Sequence, residues 1–286
     1  MSPMSNRLLV PRKTPGLLDL VPGAAAAYSL RSLSNSYADP VVTVRRSSDD
    51  DEASFTASEV ANGTLSAFCG AGDGFVTQWY DQSGNANHAS QTTPGYQPKI
   101  VSSGVVILEE GKPAIEFDGT DDFFVAAHAP ELNIQLQASC VVIVANKTAG
   151  FRYFQKGDGG GSDPDEYFFN STTGLGIAGG FGTGYTPATS QAMYFCRWNT
   201  STIAFFENAV KVIFTTAFGG SVLDGEIDPT SNPTSNSDDL YIGKRNNPTG
   251  TEGNFGGTFQ ELILWNTDVE SQRELIEANA AWGWSV

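Results

Sequence analysis

Residues 75–88 read FVTQWYDQSGNANH. A strand-like run ends at Tyr80-Asp81 and breaks at once into a turn of Gly and Asn. Gly supplies positive φ in such turns, and Asp, Asn and Ser side chains close them on the local backbone. A strand stopped this abruptly is the seed of an all-β sandwich, built from short strands and tight turns. The 31 Gly, 14 Pro and 11% aromatic content agree with that reading. At 286 residues the chain is long enough to bury such a core without disulfide staples.

Hydrophobic patterning predicts strands over 24–30, 41–46, 75–80, 112–118, 192–198, 240–244 and 258–265, and a hairpin of 202–206 with 210–215. Residues 138–146 (ASCVVIVAN) are almost continuously apolar, which predicts a central strand covered on both faces. Residues 151–156 and 166–170 flank a Gly/Asp loop, and the Gly-rich 174–184 reads as a flexible loop. Residues 64–69 read as a short helix capped by Thr64. The chain closes on a helix opened by a capping box of Thr267 and Glu270. No composition shift marks a second folded domain, so 24–286 reads as one unit behind an arm, 1–23.

That arm is broken by Pro3, Pro11 and Pro15 and carries Arg7, Arg12 and Lys13 against Asp19. It is too polar to fold alone. Its sign opposes that of the whole chain, −16, which favours docking on an acidic neighbour or on a second copy of the chain. The same acidity excludes nucleic acid as a partner, because a phosphate backbone needs cationic side chains. No apolar run reaches membrane-span length and no signal peptide is readable, so a membrane is not expected and assembly in a cytoplasm is. Cys69, Cys140 and Cys196 are an odd set without metal-site spacing and read as buried reduced thiols.

Several stretches resemble the concanavalin A-like, laminin G-like jelly roll. They are Phe117-Asp118-Gly119-Thr120-Asp121-Asp122, Leu240-Tyr241-Ile242-Gly243, and Phe259 to Trp265 followed by a helix. The resemblance implies a two-sheet antiparallel jelly-roll sandwich. In the first half, Ala26-Ala27-Tyr28-Ser29-Leu30-Arg31, Val44-Arg45-Arg46-Ser47-Ser48-Asp49 and Trp79-Tyr80-Asp81-Gln82-Ser83-Gly84-Asn85 are similar to the catalytic-domain family of α-L-arabinofuranosidase B. That pattern is also met in accessory proteins of tailed-bacteriophage virions. In the arabinofuranosidases the nucleophilic Glu follows a paired-Cys segment on a central strand. The comparable strand here, 138–146, has Cys140 alone and no acidic residue. The resemblance therefore implies the fold without the chemistry, and no catalytic residue is assigned.

The leading expectation is thus a virion accessory protein that is not an enzyme. It would be a head-decoration, fibre or tail-associated subunit, anchored by Arg7, Arg12 and Lys13. Its expected partners are other virion proteins, further copies of itself and a host-surface glycan. An arabinofuranosidase-type glycoside hydrolase and a free carbohydrate-binding module are the alternatives. Asp81 is the sharpest ligand candidate by resemblance, although its position equally suits a carboxylate that closes the turn. The acidic, Gly-rich loop with Asp158, Asp163, Asp165 and Glu166 could hold a sugar beside Tyr167 or Tyr185. No cofactor is required, but Asp118, Asp121 and Asp122 flank a turn in a way compatible with calcium.

Overall fold

The computed structural model describes residues 14–150, 152–157, 167–170, 174–177, 180–183, 185, 188, 190–229, 233–246 and 253–284. The strand Ser139–Ala149 is buried along its first seven residues and lies between two antiparallel neighbours. Ala192–Trp198 pairs with one edge, from Ser139 opposite Trp198 to Ala145 opposite Ala192. Gly256–Trp265 pairs with the other. This central position explains the unbroken apolar run, since neither face meets water.

Gly256–Trp265 is long enough to take two strands end to end on its far edge. Ala26–Ser29 pairs with Glu261–Leu264, and Ile115–Asp118 pairs with Gly256–Phe259. Ile203–Glu207 and then Val210–Val212 extend the opposite side. A second antiparallel ladder runs from Glu52–Phe55 through Val42–Arg46 to Gly74–Trp79. It continues through Ala89–Ser90, Phe124–Ala126, Leu240–Ile242, Arg152–Lys156, Tyr167–Asn170 and Gly174–Ile177. Glu116 opposite Lys99 joins the two ladders.

Aromatic side chains from both ladders meet in the core. Trp79 packs on Phe259 at 6.0 Å, Tyr153 on Tyr194 at 5.7 Å and Phe169 on Phe205 at 5.5 Å. Trp79 is fully buried, and its truncation to Ala would cost ~3–5 kcal/mol. The architecture is all-β and antiparallel, in two packed layers.

Residues 14–23 pack on this body. Leu17, in the short helix Leu17–Leu20, and Val21 are buried. The Trp265 indole donates to the Val21 carbonyl at 3.3 Å, and the Asn279 amide donates to the Pro15 carbonyl at 3.3 Å. Arg7, Arg12 and Lys13 lie outside the described residues.

Local departures from the sequence expectation have plain causes. Asn62 Oδ1, not Thr64, receives the first amide of the helix Thr64–Cys69, at 3.1 Å. A helix at Ala57–Ala61 carries a full capping box between Thr56 and Glu59. At the C-terminus a 3-10 turn, Glu270–Gln272, precedes the helix Arg273–Trp284; its first amide donates to Asp268 Oδ1 at 2.8 Å, and no Thr267–Glu270 capping box forms. Within 174–184 the described residues form the strands Gly174–Ile177 and Phe181–Thr183 rather than a loop. Among the described residues no helix is long and apolar enough to cross a membrane.

Candidate functional site

Alternation along Ile115–Asp118 builds the most chemically loaded surface among the described residues. Ile115 and Phe117 point into the core, so Glu116 and Asp118 share the outer face. Gly119 then takes φ 78°, a conformation glycine adopts without penalty, and reverses the chain. Asp118 Oδ1 closes the turn by accepting the amides of Thr120 at 2.7 Å and Asp121 at 3.1 Å. Asp122 folds back, and its Oδ2 accepts the Asp118 amide at 2.9 Å. Carboxylate oxygens of Asp118, Asp121 and Asp122 consequently lie within 4.8 Å of one another.

Glu116, Asp118 and Asp122 line a cleft of about 390 Å³ with Phe75, Pro94, Gly95, Gln97 and Lys99. Lys99 is partly spoken for by Asp73, at 2.9 Å. Burial pushes the Asp122 carboxyl up to about 7; the Asp118 amide opposes the shift, while the charges of Asp118, Asp121 and Glu116 add to it. The cleft therefore contains a carboxyl that gives up its proton less readily than an ordinary carboxyl, beside other acidic side chains. Such crowding suits either a proton donor or a hard cation, and the two exclude each other. A bound cation would pull Asp122 back down and strip its proton.

The other sequence candidates fall elsewhere. Asp81 is 4% exposed, and its carboxylate is saturated. Oδ1 accepts the amides of Ala27 at 2.8 Å and Ser83 at 2.9 Å; Oδ2 accepts the Ser83 hydroxyl at 2.7 Å and the Asn87 amide at 3.0 Å. Gln82 and Asn85 are engaged in the same way, with backbone groups between Ala24 and Leu33. The turn is thus a staple onto the first strand, and Asp81 has no lone pair left for a ligand. Tyr167 is fully buried and its hydroxyl donates to the Leu132 carbonyl at 2.6 Å, so neither ring face is open to a sugar. Tyr185 packs edge-on against Phe205 at 5.0 Å, as part of the core wall. Asp158, Asp163, Asp165 and Glu166 lie outside the described residues.

The acidic run 47–52 lies exposed at the surface and makes ion pairs there: Arg46 with Asp49 at 2.7 Å and Arg45 with Asp50 at 2.5 Å. Sequence reasoning did not single out Glu116. The signal available was its alternation with Phe117, which puts it on the same face as Asp118.

Comparison with known proteins points one way. The family model for the catalytic domain of α-L-arabinofuranosidase B matches residues 19–141. α-L-Arabinofuranosidase B of Penicillium canescens is 42% identical over 79 residues, 26% of this chain and 17% of that protein. The probable α-L-arabinofuranosidase B of Aspergillus fumigatus is 40% identical over 78 residues, 26% of this chain and 15% of that protein. These aligned stretches are thus under a fifth of either relative.

A crystal structure of an arabinofuranosidase complexed with arabinofuranosyl-α-1,2-xylobiose superposes with a TM-score of 0.63 at 18% identity, covering 91% of this chain and 63% of that one. A GH54 α-L-arabinofuranosidase soaked with a cyclic sulfate inhibitor gives 0.59 at 18% identity, with the same coverage. The fold is accordingly the one seen in solved arabinofuranosidases. These matches overturn the expectation of a virion accessory protein and, with it, the expectation that the chain is not an enzyme. The sequence relatives are arabinofuranosidases, and a virion setting has no support among them.

Proposed function

We propose that the chain is an arabinofuranosidase-type glycoside hydrolase that uses the Glu116–Asp118–Asp122 cleft. One observation carries the reading: all three carboxyl residues lie inside the segment matched by the arabinofuranosidase family model, and burial raises the Asp122 carboxyl to about 7. Glycoside hydrolysis needs an acid that is still protonated at working pH and a second carboxylate that stays unprotonated. Asp122 supplies the acid. It protonates the glycosidic oxygen as the bond to the anomeric carbon breaks. Glu116 supplies the second group, since the Asp118 carboxylate is tied up by turn amides: it takes a proton from the water that bonds to the anomeric carbon, so the proton lost by Asp122 is matched by the one Glu116 gains. The reaction needs no cofactor. The finer description of the scaffold, a concanavalin A-like jelly roll, belongs to the same proposal and is supported by the two antiparallel layers.

The test is hydrolysis of 4-nitrophenyl α-L-arabinofuranoside. Wild type should release nitrophenol. Asp122→Asn and Glu116→Gln should each lower kcat by about 10²–10⁴, while Asp121→Asn should retain activity. No release by the wild type, or full-rate release by Asp122→Asn, would refute the reading.

A further inference from the structure

A row of three aromatic rings begins at the rim of this cleft. Pro94 and Gly95 line the cleft, and Tyr96 completes the same short helical turn with its ring 40% exposed. The Tyr96 ring centroid lies 5.7 Å from that of Phe123, with the planes 35° apart. Phe123 lies 6.2 Å from Tyr241, with the planes 33° apart. The shallow tilts of the outer row keep its ring faces turned in similar directions.

The backbone fixes the row. The Phe123 amide donates to the Tyr96 carbonyl at 3.2 Å, and Gln91 Nε2 donates to the Phe123 carbonyl at 3.2 Å. Val125 stands opposite Tyr241 in the adjoining ladder. The Lys244 ammonium lies over the ring of Phe123, the middle member, 4.4 Å from its centroid. Phe123 directly follows Asp122, so the row and the buried acid belong to one segment.

We propose that Tyr96, Phe123 and Tyr241 form a platform for the successive sugars of a neutral oligosaccharide whose terminal residue enters the cleft. A sugar ring presents an apolar C–H face with hydroxyls around its edge. Aromatic faces take up the first, while Lys244 and the cleft carboxylates are placed for the second. The abundance of carboxylates around the cleft disfavours an acidic glycan by charge repulsion. The role of the cleft rests on the hydrolase reading above; the platform itself is tested by binding alone.

The experiment is calorimetric titration of the full chain with arabinofuranosyl-α-1,2-xylobiose and with xylotetraose, and with tetragalacturonic acid as the anionic comparison. The wild type should bind the neutral probes and not the anionic one. Tyr96→Ala should weaken binding about tenfold, with an unchanged thermal midpoint, and Tyr96→Phe should keep it. Neutral-sugar binding lost in Tyr96→Ala, in a protein without hydrolase activity, upholds the platform and removes the hydrolase reading. Wild-type failure to bind either neutral probe, tight binding of the anionic probe, or undiminished binding by Tyr96→Ala overturns the platform, whatever the hydrolysis assay shows.

Discussion

The Asp81 carboxylate accepts the Ala27 amide at 2.8 Å, across 54 residues of chain. Together with its bonds to Ser83 and Asn87, this makes Asp81 the fastener between the WYDQSGN turn and the first strand. Asp81→Ala would leave buried amides without an acceptor and should cost ~3 kcal/mol. Asp81→Asn, which keeps an acceptor oxygen, should cost less. Urea unfolding measures both, and a loss under ~0.5 kcal/mol for the Ala variant would contradict the structural role.

This contact also explains what the sequence could and could not reveal. The motif that most resembles arabinofuranosidases is a fold-building device, so recognising it identified the scaffold, while its Asp81 carboxylate is taken up by backbone amides and the Ser83 hydroxyl. The nearly continuous apolar run of residues 138–146 and the pattern of Ala192–Trp198 were readable because burial on both faces leaves a one-dimensional mark. Asp122 left no such mark. Its shifted proton affinity arises from burial and from neighbours brought close by a turn. The absence of an acid on the central strand therefore misdirected the functional expectation, since the proposed acid stands on a different element. The caps failed for a smaller reason: Asp268 and Asn62 compete with nearby threonines, and local geometry chooses between them.

Arg31 and Glu261 form a two-pronged ion pair, at 2.9 and 3.1 Å, with Glu261 fully buried. Arg31 also donates to Asn279 at 2.7 Å, which ties the pair to the C-terminal helix. Glu261→Ala leaves a half-buried guanidinium without its carboxylate and should cost ~2–3 kcal/mol. The double replacement Arg31→Met with Glu261→Leu should recover most of that loss. Chemical denaturation of the three variants checks this; a double variant no more stable than Glu261→Ala would contradict it.

Asp122 makes stability depend on pH with a defined sign. Between its ordinary value of 3.8 and about 7, the folded chain keeps a proton that the unfolded chain has released. Stability contributed by that proton is present at the acid end of the window, falls as pH rises, and levels off above about 7. The full span is on the order of 4 kcal/mol. Asp122→Asn should remove this slope, as read from urea midpoints collected across the window. An identical slope in both proteins would assign it to other groups.

The thiols should be silent. Burial pushes Cys140 up to about 12 and raises Cys69, and all three cysteines are buried thiols outside any disulfide. Native protein should resist dithiodipyridine at neutral pH, because the thiolate is the reactive form. Unfolded protein should release three equivalents. Rapid native labelling would contradict the packing described around Cys140 and Cys196.

The most direct test of the proton-donor assignment is the pH profile of kcat/KM on 4-nitrophenyl α-L-arabinofuranoside. With Asp122 as the acid, activity should fall about tenfold per pH unit above about 7, as the group surrenders its proton. A rate that stays level through neutral and alkaline pH, or no turnover anywhere in the range, would contradict it.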